Sequence, residues 1–317
     1  MANELDLIYN EKVSSTTRCG LHKCPDHATI AQVDGAVITN LNGLVYDKQK
    51  RIHALGYWFW KNKKIDVRRP HFDKLKRAFS FIRIWEETFQ HSAMSAFPKA
   101  RYFCNVLADD RDAKIIIEND TQKRVIVAAC PEIEHERYYI FRDSKSDLLV
   151  DTLFVIHWIT SENVNQGELL TLAASPKGII KLPYVDAPNK LFYMKRERRL
   201  GKRYVINDGD VISVLKTFAK HRGLEFVIFD GNVEDLINAA YLIGPHGGAI
   251  ANLIYTNSKT KVVEFITKKG LIARPCYDLL AQSLSLDYYF VEPFRFNFDS
   301  GGMEIHATNI YDKLMAI

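Results

Sequence analysis

Six consecutive residues, Gly244-Pro245-His246-Gly247-Gly248-Ala249, combine backbone freedom with a side-chain donor, which is what a diphosphate needs. A short apolar run ends at Gly244, and residues from Gly248 to Ile254 continue at helical spacing. Glycine lets an anion approach the backbone closely, and the first N–H groups of a helix lack intrahelical partners and carry partial positive charge. His246 could donate to a phosphate oxygen or a sugar hydroxyl, and Asn252, one turn on, could pack back on the same face. The spacing fits neither a dinucleotide fingerprint nor a P-loop. The plainer alternative is a strand-to-helix turn in which His246 only caps.

Charged residues flank this turn. Upstream lie Lys195, Arg196, Arg198, Arg199, Lys202 and Arg203. A guanidinium donates in a planar fork that suits phosphate, so one or two of these cations should meet the diphosphate while the rest face water. Only Tyr193 and Tyr204 interleave them, a poor platform for stacking RNA bases. Downstream, Val262-Val263-Glu264-Phe265 is a strand pattern interrupted by a carboxylate. Glu264 could accept from two ribose hydroxyls, or it could be an exposed residue on an edge strand. Asp110-Arg111-Asp112 and Asp208-Gly209-Asp210 are Asp-x-Asp strings of the kind that hold a divalent ion at a diphosphate. The second pair sits at a helix start and the first in a polar turn.

The elements that must position these residues are clearest in the second half. Tyr204 to Ile206 is a short apolar run. Asn207 or Asp208 can cap a helix carrying Asp210 in its first turn, with Val211, Ile212, Leu215 and Phe218 at helical spacing and Gly223 as its stop. Leu224 to Phe229 reads as a buried strand. Asn232 caps a helix through Ala240, Tyr241 to Gly244 and Lys261 to Ile266 read as strands, and Ala307 to Ile317 as a closing helix. Strands alternating with helices imply an α/β fold with a parallel sheet covered on both faces. In the first half, Ala36 to Leu41 and Gly43 to Tyr46 look like strands. The stretch from Asp73 to about Phe97 is mostly helical in pattern. Strand-like runs come next at Lys114 to Ile117, Arg124 to Ala128, Tyr138 to Phe141 and Thr152 to Ile159. These suggest a second α/β domain over 1–175, then a domain over 176–300 and the closing helix over 301–317, with the linker at the Pro-containing segment that begins near Ala174.

Composition excludes several classes. With 47% hydrophobic residues and a net charge of +5, the chain is globular and too mildly basic to argue for nucleic acid, though the balance suits an anionic ligand. The N-terminus lacks the basic and apolar regions of a secretory signal, and no apolar run approaches the roughly 18 residues of a membrane span, so a soluble, cytoplasmic chain is expected. Five scattered cysteines make a poor disulfide framework. Cys19, His22, Cys24 and His27 cluster, but their spacing departs from common zinc motifs, and reduced cysteines in a loop are the simpler reading. Trp58, Phe59 and Trp60 could stack on a sugar, with core packing the plainer role.

Taken together, these residues resemble glycosyltransferase family 61, the inverting enzymes that include plant xylosyltransferases and extracellular O-linked N-acetylglucosamine transferases. The carrying residues are Tyr193 and Arg196, Lys202 and Arg203, Asn207 with Asp210, the Gly244 to Gly248 turn with Asn252, and Val262 to Glu264. A weaker match aligns His91 and Pro98, with Ser95 where the family carries an acid. The resemblance implies two facing Rossmann-like domains of the GT-B type. It also implies a UDP-sugar donor, a glycan or glycoprotein acceptor, and no metal or other cofactor. The compact form is similar to algal-virus enzymes that build capsid glycans, a β-xylosyltransferase among them, which makes xylose the first sugar to test and UDP-N-acetylglucosamine the alternative. An inverting transfer needs a base for the acceptor hydroxyl and stabilisation of the leaving diphosphate. Asp73, placed at a helix start, is the first candidate base, with His91 and Glu87 behind it and Glu86 also considered. The departure at Ser95 keeps a non-catalytic nucleotide- or sugar-binding module as the rival.

Overall fold

The computed structural model describes residues 7–8, 28–38, 45–46, 52–53, 72–82, 89–141, 146–158, 180–199, 203–273 and 276–317. Contacts divide the chain into two compact units, Met1–Ser175 and Pro176–Ile317.

The second unit carries the glycine turn. Its strands β9 (Lys190–Tyr193), β11 (Glu225–Ile228), β12 (Ala239–Pro245), β13 (Lys261–Phe265) and β14 (Asp287–Val291) form a five-stranded, wholly parallel sheet in the order β11-β9-β12-β13-β14. A smaller sheet joins β10 (Tyr204–Val205), β15 (Arg295–Phe296) and β16 (Gly302–Glu304). Its helices are α4 (Asp208–Arg222), α5 (Lys268–Ala273), α6 (Cys276–Ser283) and α7 (Ala307–Met315). Side chains alternate across a strand. Leu191, Tyr193, Tyr241, Ile243, Val263, Phe265 and Val291 therefore share one face, packed against Val211, Leu215 and Phe218 of α4 and Ile310 and Leu314 of α7. The opposite face turns towards α6, which contacts β14 and the short helix after the glycine turn.

Three expected elements in this unit differ. β11 is an edge strand with Glu225 and Ile228 exposed, not a buried one. Asn232 accepts from the Glu234 N–H at 3.2 Å, but the chain beyond it forms only a five-residue 3-10 helix, Glu234–Asn238, because Ala239 already enters β12. The helix expected from Gly248 is likewise a 3-10 helix, Ile250–Tyr255.

In the first unit, β1 (Leu7–Ile8), β2 (Ala28–Ile38), β3 (Val45–Tyr46), β4 (Ile52–His53), β5 (Phe72–Ser80), β6 (Lys114–Ile117), β7 (Tyr138–Ile140) and β8 (Asp147–Trp158) form one mixed sheet, in the order β1-β4-β3-β2-β8-β5-β6-β7. Helices α1 (Phe89–Tyr102), α2 (Cys104–Asp109) and α3 (Asp120–Ala129) accompany it. The region expected as a helix from Asp73 is strand β5 as far as Ser80. It pairs with β8 on one side and β6 on the other, and these ladders override the helical spacing of Leu75, Phe79 and Ile82. The run Arg124 to Ala128 is helix, not strand. Asn119 caps it by accepting from the Gln122 N–H at 3.0 Å, and Gln122, Val125, Ile126 and Ala129 are buried at helical spacing. The fold is thus mixed α/β with parallel strand pairs in both units, compatible with a Rossmann-like plan.

Candidate functional site

Parallel register brings distant residues together at the carboxyl end of the five-stranded sheet, where α/β sheets bind ligands. Gly244 pairs with Glu264, and Glu264 with Phe290. By alternation His246, Glu264 and Tyr288 fall on one face. His246 Nδ1 meets Glu264 Oε1, and the Tyr288 hydroxyl donates to Glu264 Oε2. His246 and Glu264 are 2% and 1% exposed, so this chain lies inside the unit. Both oxygens of Glu264 are engaged. The structure therefore gives the carboxylate to the histidine rather than to ribose hydroxyls, and β13 is an interior strand rather than an edge. The imidazole, expected to reach a ligand directly, turns inward and meets the Tyr277 ring edge-on at 5.1 Å.

The backbone of the same turn faces Arg196. Its Nη1 donates to the His246 carbonyl at 2.8 Å. Gly247 has φ 155°, and a Cβ there would lie 1.8 Å from that nitrogen, so only glycine admits the guanidinium. Gly244 is fixed by a second close approach: a Cβ would meet Met194 Cβ at 2.8 Å. The amides of Gly247, Gly248 and Ala249 donate to no atom among the described residues, whereas the carbonyls of these three residues accept from Ile250, Ala251 and Asn252. Three successive free N–H groups beside a half-buried guanidinium make an anion-binding concavity. Burial pulls the Arg196 guanidinium below its usual pKa, and the nearby Tyr277 opposes that. Tyr277 itself is fully buried, and among the described residues its hydroxyl has no hydrogen-bond partner. Burial pushes its phenol well above the usual range, and Arg196 and Arg203 pull it the other way, which places both cations in its neighbourhood.

The remaining expected donor residues divide. Arg203 is half-buried and Lys202 lies outside the described residues. Asn252 is buried, and its amide donates to the Ala249 carbonyl at 2.9 Å, closing the turn. Asn207 is the N-cap residue of α4, but its side chain does not cap. It donates to the Ile305 carbonyl at 2.8 Å and accepts from the Ile305 N–H at 3.1 Å, fastening α4 to the end of β16. Asp208 accepts from the buried Tyr193 hydroxyl and pairs with Lys195 at 2.8 Å, while Asp210 is exposed on α4. Sequence reasoning missed Tyr277 and Tyr288. The one signal for Tyr288 was the need of a buried glutamate for a donor on the next strand.

In the first unit, Asp73 lies near the start of β5, exposed, and accepts from the Tyr139 hydroxyl at 2.8 Å; it does not begin a helix. His91 is half-buried in the first turn of α1. Ser95, one turn on, is buried with its Oγ unpartnered among the described residues, so the position of the family acid points into the unit's interior. Asp110 pairs with Arg77 at 2.7 Å, and Asp112 is exposed. Glu86, Glu87, the residues Cys19 to His27 and the aromatic run 58–60 lie outside the described residues. Among the described residues, no three His, Cys, Asp or Glu side chains gather as metal ligands, and no helix is long and apolar enough to cross a membrane.

The glycine turn at the carboxyl end of a parallel α/β sheet, its free amides and the apposed arginine form the kind of concavity in which such folds can seat an anion. The model of the family described as Glycosyltransferase 61 matches residues 89–263, more than half of the chain and parts of both units, and the protein belongs to that family. No curated protein matches the chain. Membership implies glycosyl transfer from a sugar donor to an acceptor. The match ends just before Glu264, so Glu264, Tyr277 and Tyr288 lie beyond it.

Proposed function

We propose that the protein is an inverting, metal-independent glycosyltransferase of the GT-B plan that uses a UDP-sugar, with xylose the first sugar to test and a glycan hydroxyl as acceptor. A cytoplasmic location belongs to the same proposal. The observation that carries it is the Arg196 guanidinium set over Gly247, beside the free amides of residues 247–249. In the reaction, the acceptor oxygen attacks the anomeric carbon and loses its proton to a base while the bond to the diphosphate breaks. Arg196, Arg203 and the three amides would take up the charge that develops on the leaving group; such preorganised donors usually supply the largest single share of rate acceleration. Lys202 completes the cationic set in this proposal. His246, locked by Glu264, holds the turn in shape.

Asp73 is the proposed base, with His91 and Glu87 as alternates. Asp73→Asn should abolish transfer while UDP binding persists; full turnover in that variant would remove Asp73 from the role. The reading as a whole is tested by melting the protein against a panel of nucleotide sugars and by assaying hydrolysis of UDP-xylose and UDP-N-acetylglucosamine. A ligand at 100 times its Kd stabilises by about 2.7 kcal/mol, an easily measured shift. Absence of any shift with UDP or a UDP-sugar would sink the proposal. The buried, unpartnered Ser95 favours one rival, a non-catalytic binding module. That rival predicts the thermal shift without hydrolysis or transfer.

A further inference from the structure

A groove of about 580 Å³ lies in the second unit, along the flank of α4 beside its packed stripe. That volume falls within the roughly 300–1,000 Å³ typical of small-ligand clefts. One wall runs along α4 and its cap: Asn207, Asp210, Ser213, Val214 and Thr217. The other is Phe294 with Glu304 and His306. The Phe294 and His306 rings stack with centroids 3.9 Å apart and planes 17° from parallel, and Phe294 is still 50% exposed. The exposed part of Phe294 gives the groove an apolar surface on which a ligand with an apolar face can rest.

The polar half narrows the ligand class. The lining holds two carboxylates, Asp210 and Glu304, on opposite walls, and the hydroxyls of Ser213 and Thr217. Among the described residues, no lysine or arginine lines it. A nucleotide or other phosphate would therefore meet mostly acceptors and negative charge, which disfavours it. Carboxylates and hydroxyls instead suit a ligand rich in O–H donors. Glu304 is also partly neutralised by Arg295, 3.5 Å away, which weakens the attraction for a free cation. A neutral ring with C–H bonds on one face and hydroxyls at its rim satisfies both halves.

We propose that this groove is a subsite for a neutral sugar unit, which stacks on Phe294 and hydrogen-bonds to Asp210, Glu304 and the α4 hydroxyls. Its role as a hold on the acceptor glycan rests on the transfer reading above. Ser213 and Thr217 are exposed and outside the apolar stripe of α4, so occupying the groove needs no repacking of the core.

The test titrates the full chain with the methyl β-glycosides of xylose, glucose and N-acetylglucosamine by ligand-observed NMR, with and without saturating UDP. At least one glycoside should bind with millimolar affinity whether or not UDP is present. Phe294→Ala should weaken it at least tenfold. Ser213→Tyr, which fills the groove from an exposed helix position, should do the same if Phe294→Ala proves unstable. Both variants should bind UDP as the parent does. The proposal is overturned if no glycoside binds, if UDP displaces it, if both variants bind it normally, or if tetramethylammonium binds there in its place. Failure of the parent to bind UDP or a UDP-sugar would instead defeat the transferase reading and leave the sugar subsite standing.

Discussion

Arg196 occupies the space that a side chain on residue 247 would need. Its Nη1 donates to the His246 carbonyl at 2.8 Å, and a Cβ on Gly247 would fall 1.8 Å from that nitrogen. Gly247→Ala therefore cannot keep both the turn and the guanidinium in place. Backbone strain for a side chain at so unfavourable a φ costs on the order of 1–3 kcal/mol, and a displaced Arg196 loses its alignment with the free amides. UDP affinity should fall by at least tenfold, equivalent to about 1.4 kcal/mol, in isothermal titration. Arg196→Lys should show a similar loss with a smaller change in melting temperature, because the point charge survives but the fork does not. Parent-like UDP affinity in both variants would place the diphosphate elsewhere.

The buried chain from Tyr288 through Glu264 to His246 should govern stability before it governs chemistry. Glu264→Ala leaves the buried His246 imidazole and the half-buried Tyr288 hydroxyl without their partner, and a buried polar group left unsatisfied costs about 1–3 kcal/mol. Tyr288→Phe removes one hydrogen bond to a charged acceptor and should cost about 1.5–3 kcal/mol. Urea unfolding would separate the two. Equal, negligible losses in both variants would mean that the chain does not hold the turn.

High pH should destabilise the protein. Burial pushes the Cys104 thiol up from its ordinary 9.0 to about 11 and the Cys276 thiol to about 12, and raises Cys130, Tyr193, Tyr277 and Tyr288 further. Each of these acids holds its proton longer in the folded state than in the unfolded one. The stability they contribute is complete below about pH 9 and is lost as pH rises through the folded values. For a fully buried group the slope approaches about 1.4 kcal/mol per pH unit. The urea midpoint should therefore hold up to about pH 9 and drop steadily from there towards about pH 11, and a flat profile would contradict the burial of these groups.

The glycine turn was legible because its strands are short apolar runs bounded by glycine. The register of β12 against β13 then comes from alternation, and Glu264 lands beside Gly244. What the sequence hid was the destination of side chains. His246 reads as a ligand donor until Glu264 and Tyr288 are seen to enclose it, and Tyr288 reaches it only through the parallel pairing of β13 with β14. Asp73 was misplaced on a helix because Leu75, Phe79 and Ile82 repeat at a spacing that both structures tolerate over so short a run; two sheet partners decide for the strand. Arg124 to Ala128 reads as a strand-like run by itself, but the cap at Asn119 and burial at helical spacing make it part of a helix. Asn207 shows a further blind spot. Its pairing with Ile305 spans most of the unit in sequence, so a residue expected to touch the donor instead fastens the frame.

Tyr277 offers the sharpest separation of stability from binding. Its hydroxyl is buried without a partner among the described residues, on a ring that meets His246 edge to face and lies in the field of Arg196 and Arg203. An unsatisfied buried hydroxyl costs the folded state about 1–3 kcal/mol. Tyr277→Phe removes that group and nothing else, so the unliganded variant should melt at the parent's temperature or above it. If the hydroxyl turns to a phosphate oxygen when the donor binds, the same variant should lose UDP affinity by about tenfold or more, the worth of a hydrogen bond to a charged group. A purely structural tyrosine would give the reverse, a lower melting temperature and unchanged UDP affinity. Both quantities come from one instrument: thermal melts of parent and variant, each with and without UDP. A variant that is destabilised without UDP and shifted by UDP as strongly as the parent would remove Tyr277 from the donor site.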